Sequence, residues 1–155
     1  MSTGHKPNYL SLAGFLLLVV GGGLLIGLNT MPGEWYAALD KPAFNPPNWI
    51  FGPVWTLLYV FIAVAGWLVF SRDPSFGSMK FWWAQLVLNF VWSPVFFAMH
   101  ALGAAFVIIL ALLAVVLAFI AQNRGRCRIA ALLFIPYAAW VAFASLLNGA
   151  LWMLN

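Results

Sequence analysis

Charged residues are scarce in this chain of 155 residues, because seven Lys and Arg and three Asp and Glu make up only 6% of it. Soluble domains carry about a quarter charged residues. Hydrophobic residues reach 65%, and the mean hydropathy is +0.99. The composition therefore excludes a soluble enzyme and a disordered tail, and it indicates an integral membrane protein. The length suits one domain over residues 1–155.

The chain also lacks a cysteine pair, a cluster of metal ligands and a basic stripe, and each absence excludes a class of structure or function. A single cysteine, Cys127, excludes a disulfide within the chain, and its thiol is either incidental or made reactive by neighbouring arginines. Two His and three carboxylates are scattered without the spacing of metal ligands, so no metal site is expected. Seven basic residues spread among loops form no stripe for nucleic acid.

Long apolar runs are what the chain has instead. About 20 apolar residues in a helix cross a hydrocarbon core of roughly 30 Å. The sequence thus predicts an all-α integral membrane protein, a bundle of five transmembrane helices. The predicted spans are residues 10–28, 50–70, 79–99, 101–121 and 129–154.

Basic residues collect on one side of these spans. With five crossings one side holds six of them, and the other side holds Lys41 alone. Since cytoplasmic loops carry the excess of Lys and Arg, we expect a cytoplasmic N-terminus and a C-terminus on the outer side. The six are Lys6, Arg72, Lys80, Arg124, Arg126 and Arg128.

The spans contain no Asp, Glu, Lys, Arg or His except Lys80 at the edge of the third. Pumps and ion-coupled carriers need such groups at depth, so their absence argues against coupled transport. No nucleophile–base pair is present either. An enzymatic role is therefore left open but is not favoured.

Three spans carry stripes of aromatic, amide and small side chains at helical spacing. These stripes predict a largely apolar pocket with a few polar anchors, which is typical of a small-molecule site. Packing without a pocket, with amides bonded between helices, is the alternative. The stripes comprise Trp55 and Tyr59 on the second span, Gln85, Asn89, Trp92, Ser93 and Phe96 on the third, and Tyr137, Trp140, Ala144 and Asn148 on the fifth.

The longest connection, residues 30–48, is predicted to lie over this pocket as a lid. Trp35 and Tyr36 would cover the pocket mouth. Lys41 either meets a carboxylate on a ligand or pairs with Asp40. Gly23 and Gly27 form a G-x-x-x-G pattern that serves either packing within the bundle or dimerisation.

Four sequence blocks run in order through nearly the whole chain. They read WYAALDKPAFNPP at 35–47, WIFGPVWTLLY at 49–59, QLVLNFVWSPVFF at 85–97 and PYAAWVAFASLLN at 136–148. Together these blocks resemble the tryptophan-rich sensory protein family, also called the translocator protein or peripheral benzodiazepine receptor family.

The resemblance implies a five-helix bundle, commonly a homodimer in the lipid bilayer, whose pocket lies beneath the first long loop. It implies a membrane receptor or sensor that binds porphyrins such as protoporphyrin IX and haem, or similar planar lipophilic molecules, with no obligatory cofactor. By resemblance, the ligand contacts are Tyr36, Trp55, Tyr59, Asn89, Trp92, Ser93, Phe96, Trp140 and Ala144.

Two alternative activities also come with the resemblance: light-dependent porphyrin breakdown through Trp55 and Trp140, and passive transport of lipophilic molecules such as porphyrins or sterols. Animal members follow the Leu-Asn near their C-terminus with a Tyr and an Arg, a proposed sterol motif. Here residues 149–153, Gly-Ala-Leu-Trp-Met, contain neither. This departure argues against sterol binding and suits a bacterial member.

Overall fold

Five long helices and one short one make up the fold, which a computed structural model describes for residues 8–155. Each long helix is long and apolar enough to cross a membrane, so the all-α five-helix membrane fold is confirmed. Their ends lie within three residues of the predicted spans. The helices are α1 (Tyr9–Asn29), α2 (Glu34–Ala38), α3 (Asn48–Arg72), α4 (Phe76–Ala98), α5 (Leu102–Asn123) and α6 (Arg128–Leu154).

The five long helices close into a ring. α1 packs on α3 and α4, α3 packs on α6, α6 packs on α5, and α5 packs on α4. The order around the bundle is therefore α1, α3, α6, α5, α4. Short turns join α4 to α5 and α5 to α6, which makes each pair antiparallel neighbours, whereas α1 and α3 are joined by the long loop 30–48.

The charged residues divide between the two ends of the bundle. One end, called here the basic end, carries Arg72, Arg124, Arg126 and Arg128, with Lys80 one turn inside α4. The opposite end, called here the loop end, carries loop 30–48. The predicted basic residue Lys6 lies outside the described residues. The assignment of the basic end to the cytoplasm stays a prediction.

The half of the bundle near the basic end is filled by buried aromatic side chains. Trp82 is fully buried, and its indole Nε1 donates a hydrogen bond to the carbonyl oxygen of Ile62 at 2.9 Å. Gly66 faces this ring so closely that a Cβ there would overlap it. Phe119 and Phe134 stack with ring centroids 4.0 Å apart. This half therefore leaves little room for a ligand.

The Cys127 thiol is buried just before α6. Burial keeps oxidants and electrophiles away from the sulfur. The structure thus favours an incidental thiol over a reactive one.

Candidate ligand-binding site

A cavity of about 390 Å³ lies in the loop-end half of the bundle, between α1, α3, α4 and α6. Small-molecule sites are commonly 300–1,000 Å³ and mostly apolar. Eight of the nine ligand contacts expected from the resemblance line it. They are Tyr36, Trp55, Tyr59, Asn89, Trp92, Ser93, Phe96 and Ala144.

Aromatic rings form the α3 and α4 walls of the cavity. The Trp55 ring lies 5.7 Å from Tyr59 and 6.4 Å from Trp92, centroid to centroid, with an interplanar angle of 31° in both pairs. Phe96 continues this surface at 5.2 Å from Trp92. The rings are tilted against one another and form a continuous aromatic surface, on which a flat molecule can stack.

A chain of hydrogen bonds fixes the orientation of Trp92. Its indole Nε1 donates to Asn148 Oδ1 at 3.1 Å, and Asn148 Nδ2 donates to the carbonyl oxygen of Leu102 at 3.0 Å. Because the three residues belong to α4, α6 and α5, the chain also joins three helices. Trp92 is thus preorganised, since its polar nitrogen is already hydrogen-bonded to another residue of the cavity wall.

A second polar chain lies under the cavity floor. Asn89 Nδ2 donates to the Tyr137 hydroxyl at 2.7 Å, and that hydroxyl donates to Gln85 Oε1 at 2.9 Å. All three residues are buried. The bonding between helices expected of these side chains therefore coexists with a cavity, which differs from the alternative of packing without a pocket.

Tyr36 is the part of the loop that closes over the cavity. Its side chain is buried, touches the rings of Phe96 and Phe97, and donates a hydrogen bond from its hydroxyl to Asn45 Oδ1 at 3.3 Å. Burial raises the pKa of the Tyr36 phenol, so the hydroxyl stays a neutral donor. Trp35 does not line the cavity but stacks on His100 at 4.0 Å and contacts Phe96 edge-on.

Lys41 caps the short helix of the loop. Its Nζ donates to the carbonyl oxygens of Tyr36 at 2.7 Å, Leu39 at 3.1 Å and Ala37 at 3.2 Å. A cation at a helix C-terminus stabilises the orphan carbonyls there. This helix-capping role differs from the expected pairing with Asp40, and a contact of Lys41 with a ligand carboxylate stays a prediction.

Loop 30–48 is also tied to the end of α6. Asn155 Oδ1 accepts a hydrogen bond from the backbone nitrogen of Asp40 at 3.0 Å, and Asn155 Nδ2 donates to the carbonyl oxygen of Asp40 at 2.9 Å. This paired contact uses both backbone polar groups of one loop residue. Nothing in the sequence pattern pointed to Asn155.

Trp140 is the one expected contact that the structure places off the cavity wall. It packs behind Trp55, edge-on, with centroids 6.5 Å apart and an interplanar angle of 86°. It also touches Phe51 and lines a separate outward groove beside Pro136. Helical spacing places Trp140 on the side of α6 that faces Trp55. It does not specify which of the two rings lines the cavity.

Several glycines belong to the site. The sequence left open whether Gly23 and Gly27 serve packing within the bundle or dimerisation. A Cβ on Gly23 would overlap the Tyr59 ring, so this glycine serves packing within the bundle. Gly27 and Gly52 line the cavity, and a Cβ on either would meet nothing within 4 Å. The G-x-x-x-G pattern of α1 thus faces the interior and the cavity.

Within residues 8–155 no group of three or more His, Cys, Asp or Glu side chains is placed to hold a metal ion.

Comparison with known proteins matches residues 15–153 to the TspO/MBR family. The tryptophan-rich protein TspO of Archaeoglobus fulgidus is 38% identical over 154 residues, which cover 96% of this chain and 99% of that protein. The translocator protein of Ovis aries is 35% identical over 96% of this chain and 92% of its own length. The tryptophan-rich sensory protein of Cereibacter sphaeroides is 34% identical, with 90% and 88% covered.

Proposed function

The chain belongs to the TspO/MBR family, and from this premise we propose that it is a membrane receptor that binds porphyrins and similar planar lipophilic molecules in the aromatic cavity beneath loop 30–48. The observation that carries the proposal is the arrangement of the Trp55, Tyr59 and Trp92 rings around one cavity. Indole and phenol rings stack well on a flat conjugated system.

The residues that line the cavity would recognise the ring system of a porphyrin, the macrocycle, rather than its substituents. Among residues 8–155, those that line the cavity include no charged side chain, and Lys41 is occupied by carbonyl oxygens. Propionate groups of a porphyrin would therefore lie at the loop end of the cavity, in water or among lipid headgroups. The lining also lacks His and Cys, so we expect protoporphyrin IX and haem to bind through the ring plane, not through iron ligation by these residue types.

The proposal predicts saturable quenching of protoporphyrin IX or tryptophan fluorescence on titration of the purified protein. Replacing Trp92 with leucine removes the largest ring of the α4 wall, and we expect the Kd to rise about tenfold, since roughly 1.4 kcal/mol corresponds to a factor of ten. The dimethyl ester of protoporphyrin IX should bind within about threefold of the acid.

Trp83 supplies the matched control for this titration. It lies on the same helix as Trp92 but points away from the cavity, partly exposed on the outer surface of the bundle. Trp83→Leu should leave the Kd unchanged. Equal effects of the two substitutions, or a large loss of affinity for the ester, would contradict the proposed site.

Light-dependent porphyrin breakdown is a second candidate, favoured by the contact of Trp55 with Trp140. Trp55 is on the wall where the ligand would lie, and Trp140 is directly behind it. If this pair carries photochemistry, illumination of the wild-type complex in air should give product spectra that Trp55→Phe does not give. Product formed at the same rate by Trp55→Phe would remove this candidate.

The geometry supports a receptor more directly than a passage through the membrane. The half near the basic end is occupied by Trp82, Phe119 and Phe134, each fully buried. A lipophilic molecule would have to displace these rings to cross. The homodimer and the cytoplasmic position of the N-terminus remain predictions, which cross-linking in membranes and site-specific labelling would test.

A further inference from the structure

The cavity is closed on one side and open on the other. Its α4 and α6 walls are made of buried residues such as Asn89, Phe96 and Ala144. On its other side, lining residues near the loop-end termini of α1 and α3 are exposed: Leu28 is 72% and Trp49 73% accessible. The opening therefore lies in the side of the bundle, where α1 and α3 are neighbours.

The two helices separate toward the loop end. Nearer the basic end they pack directly, and Gly23 fits against the Tyr59 ring. Beyond Gly23 the last turn of α1 is held by α4 instead, because the hydroxyls of Thr30 and Ser93 are 2.7 Å apart. Gly23 lies six residues below Asn29, so the separation begins about 9 Å below the helix end. At this depth a leaflet of about 15 Å contains hydrocarbon.

Glycines keep the gap open from both sides. A Cβ on Gly27 of α1 or on Gly52 of α3 would meet no atom within 4 Å, although both residues line the cavity. Most other residue types here would place a side chain in or beside the gap. Larger side chains at these two positions would therefore narrow the opening.

Three polar side chains near the opening donate hydrogen bonds to backbone carbonyl oxygens of their own helices. Asn29 Nδ2 donates to the carbonyl oxygen of Leu25 at 2.7 Å, Thr30 Oγ1 to that of Ile26 at 2.8 Å, and Thr56 Oγ1 to that of Gly52 at 2.8 Å. An unsatisfied polar group in hydrocarbon costs several kcal/mol, whereas water would satisfy it. These internal bonds suit a rim that faces lipid.

We propose that lipophilic ligands enter and leave the cavity laterally, from the hydrocarbon of the bilayer, between α1 and α3. The route to water is obstructed by comparison, because Tyr36 covers the cavity and Asn155 ties the loop to α6. This proposal rests on the proposed function and adds to it that the ligands are molecules already dissolved in the membrane.

The test uses the full chain in phosphatidylcholine vesicles that contain protoporphyrin IX dimethyl ester, with energy transfer from tryptophan to porphyrin followed by stopped flow. In the double variant Gly27→Leu/Gly52→Leu we expect association and dissociation both to slow at least fivefold. A weakened site would instead release the ester faster, so slowing of both rates distinguishes a narrowed opening from lost affinity. Asn155→Ala, which loosens the loop, should leave both rates unchanged. Unaltered rates in the double variant, with faster rates in Asn155→Ala, would overturn lateral entry.

A second variant covers the case in which the leucines themselves fill the cavity. Gly52→Cys is loaded with the ester first and then alkylated with a bulky maleimide, which the buried Cys127 should not accept. The labelled protein should release the ester at least fivefold more slowly than the unlabelled variant. Equal release would refute the opening. Absence of saturable quenching in the wild type would instead refute the proposed function, and lateral entry with it.

Discussion

Substitution of Ala144 with phenylalanine is expected to weaken protoporphyrin IX binding by about ten- to a hundredfold. Ala144 is buried on the α6 wall of the cavity, which Leu147, Asn148 and Leu151 complete. A phenyl group there takes space that the macrocycle needs, and overpacking of this kind costs about 1–3 kcal/mol. Each 1.4 kcal/mol is a factor of ten in Kd. Fluorescence titration of the purified variant measures the effect.

Leu146 offers the control for this substitution. It belongs to the same helix, is 69% exposed and does not line the cavity. Leu146→Phe adds a phenyl group to α6 on the membrane side, so binding should stay within twofold of the wild type. If Ala144→Phe binds as tightly as Leu146→Phe, the ligand does not occupy this cavity.

The largest stability effect is expected from Gly66→Ala. A methyl group at this position would overlap the Trp82 ring, whose Nε1 is bonded to Ile62. Overpacking and partial loss of that hydrogen bond together should cost about 2–4 kcal/mol of the free energy of unfolding. For a chain of this size the thermal midpoint in detergent should fall by roughly 5–15 °C, followed by intrinsic fluorescence.

Two comparisons show whether Trp82 causes this loss. Gly14 is also in a helix, but a Cβ there would meet nothing within 4 Å. Gly14→Ala should therefore be neutral or stabilise by up to about 1 kcal/mol, because alanine is the better helix former. In a Trp82→Leu background, Gly66→Ala should lose most of its cost. Equal losses in both backgrounds would show that the clash lies elsewhere.

Much of the candidate site was predictable because its residues repeat at helical spacing. Trp55 and Tyr59 are four residues apart, as are Asn89 and Ser93, so each pair shares a helix face whatever the packing. The cavity brings these faces together. Trp140 satisfies the same spacing on α6 but lies behind Trp55, because periodicity specifies a direction around the helix axis and not the distance from a neighbouring helix.

The contacts of loop 30–48 could not be predicted from the sequence, for a related reason. Lys41 was considered as an ion-pair partner, yet its ammonium group caps the α2 carbonyl groups. Asn155 binds Asp40 across 115 positions of sequence. Such contacts depend on where the chain returns in space, and no local pattern records that.

The sequence by itself determined that five helices cross the membrane and that basic residues gather at one end, because burying charge in hydrocarbon is costly and crossing it takes about 20 apolar residues. Only the tertiary structure decided what the glycines do. Gly23 and Gly66 admit the rings of Tyr59 and Trp82, whereas Gly27 and Gly52 border open space. The effect of a glycine depends on which atoms the neighbouring helix places beside it. Whether a glycine allows close packing or leaves an opening is therefore a property of the fold.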